Sequence, residues 1–273
     1  MHYGSLEWAR ATKGHLTGFE RLSQLWASAV FQLRARRRRP PGFRDDDVEL
    51  ALRETTLPDT PLVAACHALV ESLGPPALVG HVVRTSVWGT LLGLRDGLRW
   101  DRELFAAAAL LHDVALARRR HDFTCFAHDG AEQSLTFLEA HGVAGARRNA
   151  IADAISLHLR VDVPTSLGVE AHLVHAGAAV DVTGTRVSHL SPPVRRAVLE
   201  RHPRLDLVDV LLKVMRDETR QHPTARVSRW MQSGFASFIR DNPLSIGLRA
   251  GWGSPSFTSG PRASSRSRSF GTP

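Results

Sequence analysis

The residues most able to do chemistry are a histidine and an aspartate placed side by side in a strongly apolar stretch. His112 and Asp113 follow 104–111, in which every residue is apolar, and Val114 and Ala115 continue that character. A buried carboxylate is costly unless it is paired or coordinates a metal ion. The dipeptide is therefore read either as a pair of metal ligands or as a His–Asp hydrogen bond at a helix surface.

Two further residues favour the metal interpretation. His81 opens a helical segment 31 residues before His112, and Asp181 lies late in the mostly apolar segment Ala171–Val182. Two imidazoles and two carboxylates from three helices suit a divalent transition metal and leave coordination positions for water. We therefore expect one divalent metal ion, which could be zinc, iron or manganese.

These four residues, in their order and spacing, resemble the signature of the HD superfamily of metal-dependent hydrolases. A series of further motifs resembles its cyanamide-hydratase-like branch, over about 62–242: Leu110–Val114, Phe126–Glu132, Ala154–His158, Asp181–Gly184 and His202–Arg204. The resemblance implies that the ion is held by four side chains, those of His81, His112, Asp113 and Asp181.

The resemblance also implies catalytic histidines. Two aspartates cancel the charge of the ion, so its water is less acidified and a general base becomes more useful. His158, which faces the pocket in the family, is the first candidate, and the alternative is a histidine that interacts with a helix dipole. His128 is the second candidate, unless it only decorates a loop. A second ion, bound through His128 or His158, is a further alternative.

Three other features could contact ligand or substrate. Arg84 lies on the same helix face as His81 and is expected to support a ligand carboxylate or to bind an anionic substrate group. Phe126 is either a pocket-lining residue or plain core. The run Arg118–Arg120 is better read as a solvated charge cluster than as a phosphate clamp.

The elements that must position these residues are helices. From Asp59 to Asn242 helical periodicity recurs and alternating apolar and polar residues do not persist, which predicts an all-α fold, an HD-domain helical bundle. The predicted helices are Leu62–Leu73, Ala77–Gly93, Arg102–Ala117, Gly130–Ala140, Ala144–His158, Val169–Thr183, Pro192–Arg201 and Leu205–Gln221.

The two ends differ from this middle. Residues 1–58 hold an amphipathic helix over Leu16–Leu33 and an arginine- and proline-rich linker that includes Arg34–Arg39. Residues 59–243 form the metal-binding helical domain. Residues 244–273 form a tail, and the Ser, Gly, Pro and Arg of Gly251–Pro273 predict disorder.

Composition narrows the functional class. The net charge of +8 arises mostly in residues 221–273, which carry 7 basic and 1 acidic side chains, while the middle of the chain is nearly neutral. A nucleic-acid partner is therefore not expected. Cys66 and Cys125 are too few for a disulfide framework, and no signal peptide or membrane span is predicted, so we expect a cytoplasmic protein without a membrane partner.

The expected function is a metal-dependent hydrolase or hydratase that uses metal-activated water on a small molecule, by resemblance a nitrile-like compound. A phosphohydrolase of nucleotides or phosphodiesters is the first alternative. A degenerate sensor module that binds metal or nucleotide is an alternative of a different class. The N-terminal helix could complete the core or pair with a second subunit, so a homo-oligomer is an open expectation.

Overall fold

The chain folds into a bundle of helices. The computed structural model describes residues 2–24, 26–27, 48–118, 123 and 125–245, and within these ranges it contains helices and no strand, which confirms the predicted all-α fold. The Arg34–Arg39 run and the tail Gly251–Pro273 lie outside the described residues.

The helices are α1 (Leu6–Thr12), α2 (Val48–Glu54), α3 (Pro61–Leu73), α4 (Pro76–Arg95), α5 (Arg102–Leu111), α6 (Val114–Ala117), α7 (Phe126–Ala140), α8 (Gly145–Leu157), α9 (Val169–Thr183), α10 (Pro192–Arg201), α11 (Leu207–Gln221), α12 (Arg226–Gln232) and α13 (Phe235–Arg240). Residues 18–24 and 26–27 are also helical and fall inside the predicted amphipathic helix Leu16–Leu33, whose residues 28–33 lie outside the described ranges.

Side-chain caps set several helix starts. The hydroxyl of Thr60 accepts a hydrogen bond from the amide of Val63 at the start of α3, and Asp101 caps α5 through the amide of Leu104 in the same way. These caps satisfy amide groups that have no partner within the helix. At the other end of α9, Gly184 takes the left-handed conformation, with φ 74°, that commonly ends a helix.

The centre of the bundle is formed by α4, α5 and α9. Every residue of 104–111 on α5 is buried, and α4 is long and apolar enough to cross a membrane. Most of α4 is buried inside the bundle, which is typical of a core helix in a globular domain. These helices carry or support the residues singled out in the sequence.

One predicted helix is interrupted. The expected continuous helix Arg102–Ala117 ends at Leu111, and α6 begins at Val114. At the break, Asp113 has φ −111° and ψ 14°, outside helical geometry. Neighbouring side chains on a regular helix diverge by about 100°. The break changes that relation and lets His112 and Asp113 face one point.

Other boundaries also differ from the prediction. Helix α7 begins at Phe126, four residues before the predicted Gly130, and the short helices α1, α2, α12 and α13 were not predicted. Helices of six or seven residues span fewer than two full turns, so their periodicity is weak in a sequence.

The first residues of the chain pack on the bundle. The amide of Leu6 donates to Asp153 at 2.9 Å, and the hydroxyl of Ser156 on α8 donates to the carbonyl of Gly4 at 2.7 Å. Trp8 is buried nearby, in a small apolar cluster that includes Phe123. This N-terminal segment therefore covers one face of α8.

The contact between α4 and α9 requires a glycine. A Cβ atom at Gly177 would lie 2.1 Å from the carbonyl oxygen of Thr85 on α4. We expect Gly177→Ala to lower the free energy of unfolding by about 1–3 kcal/mol or more, because the two backbones must separate. Urea denaturation measures this loss.

The matched control is Gly145→Ala at the start of α8, where no atom lies within 4 Å of the new Cβ. That variant should unfold within about 0.5 kcal/mol of the parent protein. Equal stability of the two variants would show that α4 and α9 do not depend on the close approach.

Candidate metal centre and its cavity

Three of the predicted ligands meet at one buried point. His81 comes from the first turns of α4, and His112 and Asp113 come from the break between α5 and α6. The Nε2 atoms of the two histidines are 3.3 Å apart, and Oδ2 of Asp113 lies 3.3 Å from Nε2 of His81 and 3.4 Å from that of His112. All three side chains are buried, and they form a group that could hold a metal ion.

Hydrogen bonds fix which nitrogen of each ring faces this point. Nδ1 of His112 lies 2.7 Å from the carbonyl oxygen of Ala109, and Nδ1 of His158 lies 2.6 Å from that of Ile155. A carbonyl oxygen can only accept, so both Nδ1 atoms carry the proton. Nδ1 of His81 likewise donates to Asp181 at 2.8 Å. Neutral rings in these tautomers present the lone pair of Nε2 to the cluster.

This arrangement fits a divalent cation. Two Nε2 lone pairs and one carboxylate oxygen converge, and all three are hydrogen-bond acceptors without a donor between them. A proton or a cation at this point would bridge them. Histidines that bind metals usually donate their second ring nitrogen to a carbonyl or carboxylate, as His81 and His112 do here. The donor set of imidazoles and a carboxylate suits zinc, iron or manganese.

Asp181, predicted to be the fourth ligand, lies next to this group of three residues but is not part of it, and its ligand role stays a prediction. Its Oδ1 accepts from Nε of Arg84 at 2.9 Å and from Nη1 of Arg204 at 2.9 Å, and its Oδ2 accepts from Arg84 at 3.0 Å and from His81. The carboxylate thus orients the ring of His81 through Nδ1 and forms ion pairs with two buried guanidinium groups.

Arg84 lies in the position that the predicted supporting role requires, in contact with the carboxylate of Asp181. Its third nitrogen donates to the carbonyl oxygen of Pro203 at 2.8 Å, and the indole of Trp88 adds a hydrogen bond to Asp181 at 3.1 Å. Arg204 was missed as a site residue, although it lies in the motif His202–Arg204. A buried arginine needs a carboxylate partner, but the sequence does not say which aspartate supplies it.

The charges of the cluster shift its pKa values. Burial alone would lower the pKa of His81, but hydrogen bonds to Asp113 and Asp181 raise it overall. Burial dominates at His112 and lowers its pKa. Burial opposes ionisation of Asp113, yet His112 and His81 outweigh it and lower the pKa of that carboxyl. In the same way, Arg84 and Arg204 hold the pKa of Asp181 well below its ordinary value despite burial.

His158 lies beside the cluster. Its Nε2 is 3.6 Å from Oδ1 of Asp113, and its ring meets that of His112 edge to face, with centroids 4.8 Å apart. Burial, together with the nearby His112, lowers the pKa of His158 to about 3. The ring is therefore neutral at pH 7, with Nε2 available as an acceptor.

The structure does not bring His128 to this point. His128 is buried on α7, with Nδ1 2.7 Å from the hydroxyl of Ser156 and its ring against Trp8 and Phe123. It does not line the cavity described next. Its surroundings tie it to the N-terminal segment, and it is buried in helix rather than exposed on a loop.

A cavity of about 130 Å³ opens from the cluster. His81, His112, Asp113 and His158 form one end, and Phe126 lies on the wall, as one of its predicted roles requires. The far wall comes from residues that the sequence analysis missed, above all Trp230, Phe235 and Phe238. In the sequence, aromatic residues on short helices show no pattern that distinguishes a pocket-lining residue from a core residue.

The role of Asp181 can be tested through stability without metal. We expect Asp181→Asn to lower the free energy of unfolding, measured in a chelator, by about 3–5 kcal/mol, because two buried arginines lose their counter-ion. The control is Asp96→Asn. The carboxylate of Asp96 binds Arg95 and Arg186 in a partly exposed position. Its loss should stay below about 1 kcal/mol. Metal loss without destabilisation would instead make Asp181 a ligand.

The same variant predicts a pH dependence. Because the folded-state pKa of Asp181 is depressed, its stabilisation is complete above the unfolded value of about 4 and falls as pH drops below it. The stability difference between the parent protein and Asp181→Asn should therefore shrink below about pH 4 in denaturation series. A constant difference would contradict the charge assignment.

Comparison with known proteins agrees with this site. The model of the HD domain family matches residues 78–215, which is half of the chain and includes all four predicted ligands, whereas no curated protein matches. Proteins of this family are typically metal-dependent hydrolases, and the His81, His112 and Asp113 cluster fits such a metal site. The chain therefore belongs to the HD domain family.

Proposed function

We propose that this protein is a hydrolase or hydratase that uses one divalent ion, held by His81, His112 and Asp113, to add water to a small molecule. The observation that carries this proposal is the convergence of two Nε2 atoms and a carboxylate oxygen, each histidine being fixed through Nδ1. The three side chains stand at the end of a cavity, so a substrate can reach them.

A bound divalent ion lowers the pKa of water and polarises an electrophile. The chain supplies orientation. Asp181 and the carbonyl of Ala109 hold the rings of His81 and His112. Nε2 of His158 faces Asp113 and can accept a hydrogen bond from water or substrate. Its pKa of about 3 favours orienting over full uptake of a proton.

The charges around the cluster favour a neutral substrate. Arg84 and Arg204, the buried arginines nearest to His81, are both engaged by Asp181. Neither lines the cavity, so they do not supply the guanidinium or ammonium partner that a phosphate group there usually needs. Together with the resemblance to the cyanamide-hydratase-like branch, this supports a small nitrile-like substrate over a nucleotide or phosphodiester.

The test combines metal content with turnover. Elemental analysis of the purified protein should find about one equivalent of a divalent metal, and Asp113→Ala should lose the metal and all turnover while keeping its circular dichroism spectrum. Turnover is screened first on cyanamide and simple nitriles, then on nucleotides and phosphodiesters.

The control for this variant is Asp162→Ala, which removes an exposed carboxylate and should change neither metal content nor turnover. Full activity of Asp113→Ala would overturn the metal assignment. Turnover of phosphoesters alone would overturn the substrate assignment, and tight metal or nucleotide binding without turnover would favour a sensor.

A further inference from the structure

The cavity is lined by residues from inside and from beyond the segment that matches the HD domain family. The metal-binding end lies within residues 78–215, the segment that matches the HD domain. The opposite wall includes Trp230, Phe235 and Phe238, which lie on α12 and α13, beyond that segment. The candidate metal ligands thus lie within the matched segment, and these three aromatic residues lie beyond it.

This aromatic wall is built for contact with an apolar group. The rings of Trp230 and Phe235 lie 5.1 Å apart at 53°, and Met215 and Leu211 of α11 continue the wall. Trp230, Phe235 and Phe238 are only half-buried in the protein, so part of each ring is left to contact a ligand. Aromatic faces gain most from stacked or edge-to-face contact with another ring.

Several polar groups along the cavity are engaged within the protein, whereas the indole Nε1 of Trp230 is buried without a hydrogen-bond partner among the described residues. Arg160 donates through Nε to the carbonyl of Asp162 at 3.1 Å and through Nη1 to that of Tyr3, and its guanidinium lies over the Tyr3 ring. The hydroxyls of Thr183 and Thr185 bond to each other at 2.7 Å. Apart from histidines, which include His175 with its Nδ1 2.9 Å from the carbonyl oxygen of His158, Arg160 is the one basic residue among the described side chains that line the cavity.

The size of the cavity limits its ligand. Its volume of about 130 Å³ is close to that of an apolar cavity of about 150 Å³ that holds benzene. A single ring or a branched aliphatic group fits, together with a compact polar head at the cluster. A nucleotide, with base, sugar and phosphate, would find few polar partners on this mostly apolar wall.

We propose that the substrate carries an apolar group about the size of one aromatic ring, which Trp230, Phe235 and Phe238 bind while its electrophilic carbon faces His81, His112 and Asp113. This inference rests on the proposed function for the reaction, but the apolar subsite can be tested by binding alone. The C-terminal helices α12 and α13 then determine which substrate the metal site receives.

The test is titration calorimetry of the purified full chain with three probes: benzonitrile, acetonitrile and adenosine monophosphate. Benzonitrile should bind at least 10-fold more tightly than acetonitrile, and the nucleotide should not compete with it. In Trp230→Ala, benzonitrile affinity should fall about 10-fold and acetonitrile binding should not change. Trp26→Ala, which removes an indole that is 74% exposed, is the matched control and should bind as the parent does.

The failure of this inference can be told apart from failure of the proposed function. Asp113→Ala should still bind benzonitrile through the aromatic wall although it has lost metal and turnover. If benzonitrile binds no better than acetonitrile, or if Trp230→Ala leaves its affinity unchanged, the apolar subsite is wrong even where nitriles are hydrated. Ring binding without turnover of any nitrile would keep the subsite and overturn the reaction.

Discussion

The carboxylate of Asp181 is the interaction on which the rest of the site depends. It lies near the end of α9, fully buried, and receives hydrogen bonds from Arg84, Arg204, Trp88 and His81. Two guanidinium groups in an apolar interior are tolerable only because this charge is there. The same carboxylate orients the ring of His81. One side chain therefore both pairs with the buried arginines and fixes the orientation of a candidate metal ligand.

The interruption between α5 and α6 is the second constraint. His112 and Asp113 are adjacent in the chain, and only a departure from helical geometry lets both reach the same point as His81. The apolar helix before them provides the rigid support, and the carbonyl of Ala109 at its end holds the ring of His112. A helix whose last eight residues are all apolar and buried thus ends at the place where the polar side chains converge.

The features that the sequence predicts well are those that depend on neighbouring residues in the chain. An apolar segment broken by His112–Asp113 indicates a polar centre, and helices with several turns, such as Val169–Thr183 and Pro192–Arg201, matched their predicted bounds. The sequence does not show which residue pairs with a buried charge. The predicted ligand role of Asp181 rests on its type and order in the chain, whereas its partners Arg84 and Arg204 lie 97 residues before it and 23 residues after it. Only the folded structure shows that the guanidinium groups of Arg84 and Arg204 donate hydrogen bonds to the carboxylate oxygens of Asp181.

The hydrogen bond between His81 and Asp181 also has a kinetic consequence, because it spans 100 residues of chain. Closing so long a loop carries an entropic cost that local contacts do not repay. The ring of His81 is therefore held in position only after α4 and α9 have docked. We expect the nascent or unfolded chain to present a poorly organised set of donors, so that selective capture of the ion is coupled to completion of the fold.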